Sequence, residues 1–455
     1  MNIKERIYYS SSPRIQNFLV SLAGRMQFHK RYKNLNSLLE QINEVNSLSE
    51  HEKTDYQNEK IEEIVRFCGK NIPFYQKLFS DYGISHTQIS SKSDLNKIPT
   101  LSKRTIIDNI ESLVSPVARN YITQKTSGTT GTPFTIHMNC ETYQLAMAML
   151  VDHESRHGVR FGARRATFAG RLIKNYSDNR PPFFRLNKSE NQAIFSTYHL
   201  STENLDHYDN ELASLSPEEL IGYPSAIYNL ATLYLENRKS PSFKPKIIVT
   251  NSETLFSWQR RTIEQVFGCT IYDYYGTAEY ILFAGQNKDL SYIVNPILGV
   301  HEIIDGKGVP STTGQVIGTT LTNTVMPLLR YEIGDTAEGD GDFAIKNITG
   351  RIDDQIHTPD GRRIGRTGEI FGFFKNIKEA QIIQHRVDYC QILIVKMSES
   401  EALAEHKIIE KLRLKFGEDI SFEINFVENI EKSKNGKFKA VKSYISGKND
   451  GSHIY

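Results

Sequence analysis

The strongest constraint on this chain is a pattern repeated three times between residues 219 and 279. Glu219-Leu220-Ile221-Gly222-Tyr223 is an apolar strand that ends in Pro224-Ser225 and leads into a helical stretch over 226–234. Lys246-Ile247-Ile248-Val249-Thr250 is a second strand, ending in Asn251-Ser252-Glu253 before another helical stretch. Cys269-Thr270-Ile271-Tyr272-Asp273 is a third, ending in Tyr274-Tyr275-Gly276-Thr277-Ala278-Glu279. Strand, polar loop and helix in succession build an α/β layer with parallel strands. Ligands in such layers bind beyond the carboxyl ends of the strands, so the three polar loops are expected to face one site.

A loop further upstream supplies chemistry. Lys125-Thr126-Ser127-Gly128-Thr129-Thr130-Gly131-Thr132-Pro133 precedes a short strand, Thr135–Met138, and a helix over 142–151 rich in Ala, Met and Leu. Glycine lets the backbone turn tightly and bring N–H groups close to an anion, while Ser and Thr hydroxyls add donors for a polyphosphate. The loop is not G-x-x-x-x-G-K-[ST], because Thr132 and Pro133 follow Gly131. Taken alone, a Ser/Thr/Gly turn joining two strands is the other reading.

The remaining segments read as scaffold. Ile61, Ile64, Val65 and Cys68 recur at helical spacing, Pro73 and Gly83 bracket a second helix, and Ile98-Pro99-Thr100-Leu101-Ser102-Lys103 breaks the pattern. From Val309 the composition turns β-like, through Gly314-Gln315-Val316-Ile317-Gly318 and on to Tyr331-Glu332-Ile333-Gly334-Asp335. The C-terminal part reads as α+β: a strand over 391–397, a helix over 401–416 with Ile409, Leu412 and Phe416 on one face, and a strand in which Ile420, Phe422, Ile424 and Phe426 alternate. The expected fold class is α/β, with a large N-terminal domain over 1–350, helical in its first hundred or so residues, and a small α+β domain over 351–455.

A chain of 455 residues exceeds what one core holds. Its 55 Lys and Arg against 53 Asp and Glu leave a formal charge of +2, which argues against nucleic acid and for a small-molecule partner. Cys68, Cys140, Cys269 and Cys390 show no C-x-x-C spacing, so neither a zinc knuckle nor a disulfide framework is indicated. No apolar run approaches the ~18 to 20 residues that span a bilayer. A soluble cytoplasmic protein is expected, or one peripheral to the inner membrane face. The peripheral reading comes from residues 13–35, where Ile15, Phe18, Leu19, Leu22 and Met26 form a helical stripe beside Arg14, Arg25, Lys30, Arg31 and Lys33. Such a stripe can rest on an anionic membrane surface, or, as is commoner, pack onto the main domain.

Ser127-Gly128-Thr129-Thr130-Gly131, Tyr275-Gly276-Thr277-Ala278-Glu279, Tyr331-Glu332-Ile333-Gly334-Asp335, Gly350-Arg351-Ile352-Asp353-Asp354 and Asn435-Gly436-Lys437 occur in the order and approximate spacing of the adenylate-forming ligases. Within them the chain resembles the phenylacetate-coenzyme A ligase-like branch and its capsule-biosynthesis type, called CapK. Residues 72–79 and 98–103, Ser196-Thr197-Tyr198-His199-Leu200 and Gly222-Tyr223-Pro224-Ser225-Ala226 carry that narrower likeness. The resemblance implies a large acyl-adenylate synthetase-like domain, layered α/β with a β-rich part, and a mobile C-terminal lid. It implies that a carboxylate attacks the α-phosphate of Mg-ATP and that a thiol, such as coenzyme A, or an amine then displaces AMP, in capsular or O-antigen polysaccharide biosynthesis. An aryl-acid coenzyme A ligase of catabolism and a non-catalytic nucleotide-binding homologue are the rival readings.

The same resemblance distributes roles. Ser127, Gly128, Thr129, Thr130 and Gly131 would hold the β and γ phosphates, and Glu279 would bind Mg²⁺, which takes oxygen ligands shared with phosphates. Tyr275, with Gly276 and Thr277, would meet the adenine side of ATP, Asp335 would accept from the ribose hydroxyls, and Arg351 would add a ribose or phosphate contact. Lys437 looks like the adenylation lysine, a point charge placed where negative charge builds, and Asp353 like the hinge of the lid. Ser252 and Glu253 count with the nucleotide contacts, near an acid pocket that also takes in Tyr223, Pro224 and Asn251, with Arg171 and His199 as more distant contributors. Two departures stand out: Ala278 replaces a hydroxyl residue, leaving Thr277 to supply that donor, and Phe134 stands where many superfamily members carry lysine. The cysteine ligands of a structural zinc found in some relatives are missing from 283–287, so zinc is not expected.

Overall fold

The computed structural model describes residues 3–125, 134–365, 367–374, 376–397, 404–433 and 435–445. The chain divides into two compact units, one made of Met1–Leu22, Gly162–Ile271 and Thr349–Tyr455, the other of Ala23–Phe161 and Tyr272–Ile348.

In the first unit, four parallel strands stand in the order Ile247–Asn251, Glu219–Gly222, Arg165–Phe168, Gln192–Phe195, and Phe184–Asn187 closes the edge antiparallel. Two of the three strands of the repeated pattern thus pair in parallel, with Leu220 opposite Ile248. Every residue of Glu219–Gly222 is buried, as befits a strand covered on both faces. The buried Glu219 carboxylate is paired with Arg165 at 2.6 Å. Pro224 starts the helix Pro224–Glu236 at a position where its missing N–H costs nothing. That helix and Ser257–Phe267 share a core of Phe168, Leu220, Ile227, Tyr234, Ile248, Ile263 and Phe267.

The C-terminal stretch expected over 351–455 falls in this same unit, around a core of its own that includes Ile382, Ile392, Ile394, Ile408 and Leu412. Its sheet runs Ser421–Phe426, Tyr389–Lys396, Ile377–Arg386, Val441–Ser443. In the helix Glu405–Phe416 the buried residues are Ile408, Leu412 and Phe416, so Ile408 takes the core position expected for Ile409. In Ser421–Phe426, Phe422 and Ile424 are half-buried as expected, whereas Phe426 is exposed. Trp258 Nε1 donates to the Gly368 carbonyl at 3.1 Å, and the Ser257 N–H donates to Glu369 at 3.0 Å, fastening residues 367–373 to the start of the helix Ser257–Phe267.

The second unit packs the helices Glu50–Asn71 and Pro73–Asp81 against a sheet ordered Gly299–Ile304, Thr313–Thr320, Tyr331–Gly339, Ala344–Arg351, Tyr292–Val294, Phe283–Gln286, Thr270–Gly276. Ile61, Val65, Cys68 and Tyr75 share one core with Val316, Ile333 and Ile345. The helix expected over 142–151 extends over Cys140–Arg156, because buried Asp152, His153 and Glu154 continue it where the apolar pattern stops. The third strand of the repeated pattern is also longer: Thr270–Gly276 takes in Tyr274, Tyr275 and Gly276, expected in the polar loop, and pairs them antiparallel with Phe283–Gln286.

The N-terminal helix Pro13–Tyr32 differs from the commoner expectation for an amphipathic helix. Of the expected stripe, Ile15, Phe18, Leu22 and Met26 are exposed rather than packed on a domain, and Leu19 alone is half-buried. Among the described residues, no helix is long and apolar enough to cross a membrane.

Candidate functional site

In the second unit, two of the motifs are joined by side-chain hydrogen bonds. The strand ending at Gly276 turns sharply: the Thr277 hydroxyl oxygen accepts the Ile281 N–H at 3.0 Å, the Tyr280 N–H donates to the Thr277 carbonyl at 3.0 Å, and Tyr280 takes φ +53°. This turn holds half-buried Glu279, whose carboxylate accepts the Tyr331 hydroxyl at 3.2 Å. At the other end of the same motifs the Tyr275 hydroxyl donates to the buried Asp335 carboxylate at 2.7 Å. Tyr275 and Asp335 are therefore joined directly, and Thr277 and Glu279 share the turn that follows Tyr275.

Residues 98–102 run beside the strand that carries Tyr331 and Asp335. The Leu101 N–H donates to the Arg330 carbonyl at 2.9 Å, the Glu332 N–H to the Leu101 carbonyl at 3.0 Å, and the Thr100 hydroxyl to Glu332 at 2.7 Å. Arg330 itself is buried, takes φ +51°, pairs with Glu302 at 3.0 Å and donates to the Ile98 carbonyl at 2.7 Å. A buried ion pair with its remaining donors satisfied fixes backbone position, and here it fixes the start of the Tyr331 strand. Sequence reasoning missed Arg330; its signal was a lone arginine directly after the apolar run Pro327-Leu328-Leu329. Phe134 is buried against the Tyr331 ring at 6.3 Å between centroids, and the Lys103 ammonium stands over its face at 5.9 Å. The candidate phosphate loop, Ser127, Gly128, Thr129, Thr130 and Gly131, lies outside the described residues.

In the first unit, the described residues of the lysine-rich turn are seated on the rest of that unit. The Gly436 N–H donates to the Ser433 carbonyl at 2.8 Å, and the Lys437 N–H to the Ser433 hydroxyl at 3.0 Å, with Gly436 at φ +72°. The turn rests on Gly170, which takes φ +61° and whose carbonyl accepts the Tyr198 hydroxyl at 2.9 Å. The approach is too close for any side chain: a Cβ on Gly170 would stand 2.6 Å from the Asn435 carbonyl oxygen. The Lys437 ammonium lies over the Tyr223 ring, 5.7 Å from its centroid.

Glu253 holds this arrangement. Its carboxylate accepts the Phe438 N–H at 2.6 Å, the Ser225 N–H at 3.0 Å and the Ser225 hydroxyl at 3.1 Å. It therefore sits on the N-terminus of the helix Pro224–Glu236, where N–H groups and dipole favour an anion, and ties that helix to the residue after Lys437. Burial raises the Glu253 carboxyl pKa, and the three hydrogen bonds pull it back down. Burial and the Glu253 charge also raise Tyr223, against the Arg171 guanidinium. Ser252 takes φ +67°, a strained conformation that turns the chain directly after its strand, and its hydroxyl donates to Asn251 at 2.8 Å. Arg351 is exposed at the entry to the 3-10 turn Ile352–Asp354, which contains Asp353. His199 is braced on both ring nitrogens, by the Ser196 hydroxyl at 2.7 Å and the Asn175 carbonyl at 3.2 Å, and burial lowers its pKa. It is built as a strut.

Residues 356–444 match the CapK C-terminal domain. Over 447 residues the chain is 29% identical to Protein CapK of Staphylococcus aureus, covering 94% of this chain and 97% of that protein. Its C-terminal domain is of the CapK type. The chain is also similar to the phenylacetate-coenzyme A ligase of Aromatoleum evansii, at 22% identity over 69% of this chain and 73% of that one. Its fold matches 2-hydroxyisobutyryl-CoA ligase, solved in the postadenylation state in complex with R3-HIB-AMP, with a TM-score of 0.66 at 17% identity over 88% of this chain and 91% of that one. The chain thus shares its fold with a structurally characterised CoA ligase, and its sequence relatives include Protein CapK and a phenylacetate-coenzyme A ligase.

Proposed function

We propose that this protein joins a carboxylic acid to AMP at the expense of ATP and then passes the acyl group to a thiol or amine, in the assembly of capsular or O-antigen polysaccharide. The observation that carries the reading is the seated turn Asn435-Gly436-Lys437, held on Gly170 and on the Glu253 carboxylate so that the Lys437 ammonium lies over Tyr223. In the first half-reaction a carboxylate oxygen bonds to the α-phosphorus, the α–β bridging P–O bond breaks, and pyrophosphate leaves. Negative charge grows on the non-bridging oxygens, and a fixed ammonium stabilises it most where it is preorganised. In the second, the acceptor attacks the acyl carbon and AMP leaves.

The other roles follow from chemical type. Asp335, oriented by the Tyr275 hydroxyl, suits ribose hydroxyls as an acceptor-only group, and Tyr275 offers an aromatic face to adenine. Ser252 and Arg351 would stand at the edge of the nucleotide. The Thr277 hydroxyl uses its oxygen as acceptor within its own turn, which leaves its proton for an α-phosphate oxygen and offsets Ala278. Glu279, steadied by Tyr331, fits a hard cation. Glu279 would hold Mg²⁺ arriving with the nucleotide, and the ion would supply charge neutralisation there. Thr129 and Thr130 would take the β and γ phosphates. The relationship to a phenylacetate-coenzyme A ligase favours coenzyme A as the thiol, and a cytoplasmic setting would supply it with ATP.

The test is ATP–pyrophosphate exchange with Mg²⁺ across aryl acids, fatty acids, amino acids and uronic acids, without acceptor. Exchange with one class establishes adenylation and names the acid; the product formed on adding coenzyme A or an amine names the acceptor. Lys437→Ala should lower exchange by several orders of magnitude while the variant still converts supplied acyl-adenylate, as expected for a contact made only in the adenylating transition state. No exchange with any acid while ATP still binds would overturn the reading.

A further inference from the structure

The helix Pro13–Tyr32 is built the wrong way round for a helix that serves only the fold. Its first half attaches through polar side chains. Gln16 is buried, donates to the Tyr8 carbonyl at 2.8 Å and accepts from the Arg185 guanidinium at 2.5 Å. Asn17 accepts the Leu186 N–H at 3.0 Å, and the Ser21 hydroxyl donates to the Leu186 carbonyl at 3.1 Å while accepting the Lys188 N–H at 3.1 Å. Four large apolar residues point away, while Leu19 and Val20 are half-buried and Phe28 packs on Phe161 at 5.8 Å between ring centroids. Ile15 is 51% exposed, Phe18 66%, Leu22 50% and Met26 72%. Steps of three, four and four put these four side chains on one face of the helix. Ile7, in the preceding helix Ile3–Ser10, is 58% exposed as well. A contiguous outward row of large apolar side chains marks a surface that something covers.

The charge around the row says what covers it. Between Glu5 and Glu40 the chain carries Arg6, Arg14, Arg25, Lys30, Arg31 and Lys33 and no acidic residue. On the helix, Arg14 and Arg25 lie along one edge of the apolar row, Lys30 lies along the other, and all three are exposed. A second copy of this chain would bring two such cationic segments face to face, which repel. We propose that this face binds the surface of a bilayer bearing anionic headgroups. The helix lies in the plane of the headgroups, Phe18, Leu22 and Met26 enter the acyl boundary, and Arg14, Arg25 and Lys30 reach phosphates and carboxylates on either side. It lies on the membrane and does not cross it: no helix among the described residues is long and apolar enough to span. The inference is independent of the catalytic reading, since it uses none of the site residues.

The test is co-sedimentation of the full-length protein with vesicles of phosphatidylcholine alone or with about 30% phosphatidylserine. The expected result is binding to the anionic vesicles at least about tenfold tighter than to the neutral ones, weakening as salt shortens the Debye length. Phe18→Glu with Leu22→Glu should reduce binding to anionic vesicles more than about tenfold, with the thermal midpoint unchanged. Arg14→Gln with Arg25→Gln should cost about fivefold per side chain at low salt. Absence of binding to anionic vesicles overturns the proposal. So does binding that survives Phe18→Glu with Leu22→Glu, and so does a wild-type dimer that those changes split while vesicles are ignored throughout.

Discussion

Replacing Gly170 with alanine should slow acyl-adenylate formation about a hundredfold and leave the fold standing. Gly170 has φ +61°, where alanine costs ~1–2 kcal/mol. The steric effect is larger. The new Cβ would lie 2.6 Å from the Asn435 carbonyl oxygen and 3.0 Å from both the Gly436 Cα and the Tyr223 ring. Ordinary contact begins near 3.4 Å, so the turn must retreat by about 0.8 Å. Lys437 follows Gly436 directly and its ammonium shifts by a similar distance. A misplacement of ~1 Å costs about 10²-fold at a reacting centre. The assay is ATP–pyrophosphate exchange, beside conversion of supplied acyl-adenylate and a thermal melt. Exchange should fall about a hundredfold, conversion should stay within about threefold, and the midpoint should drop by a few degrees. Gly436→Ala meets the Gly170 Cα at 2.7 Å from the other side and should behave alike, with the double variant no worse than either. Exchange within about threefold of the unmodified protein would refute the reasoning, because the turn would not then sit on Gly170 when the adenylate forms.

Glu253→Ala leaves the Phe438 and Ser225 N–H groups without their charged acceptor, at ~1.5–3 kcal/mol each. It should lower exchange about 10- to 100-fold, and Glu253→Gln, whose amide oxygen can still accept from Phe438, should recover part of it; equal rates in all three proteins would count against a positioning role. His301 is buried and pushed down to about 3, chiefly by loss of solvent. The unfolded chain takes up this proton near pH 6.5 and the folded chain does not, so stability present above pH 6.5 is lost as pH falls from there towards 3. His301→Leu should reduce the stability lost between pH 7 and 4 by on the order of a few kcal/mol at most, read from denaturant melts across that range; an unchanged loss would contradict it.

Local pattern carried much of the architecture. Burial over Glu219–Gly222 and Ile247–Asn251, the proline start of Pro224–Glu236 and the glycine stop at Gly268 are short-range effects that the order of residues dictates. Where pattern failed, tertiary context had overridden it. Tyr274, Tyr275 and Gly276 read as loop because they are polar or small, yet pairing with Phe283–Gln286 makes them strand. Ile409 and Ile408 are one residue apart and equally apolar, and only packing against the sheet chooses Ile408.

The sequence by itself determined the elements, the five motifs and their order, and the basic, apolar composition of the N-terminal helix, because periodicity and residue chemistry act within a few residues. Only the tertiary structure decided which of these meet. Glu253 and Phe438 are 185 residues apart and Tyr275 and Asp335 are 60 apart, and nothing local to either partner encodes the other. A helical stripe likewise reports that one face is apolar without saying which way it points. In Pro13–Tyr32 the polar side chains found backbone partners at Leu186 and Lys188, and the apolar row was left facing out.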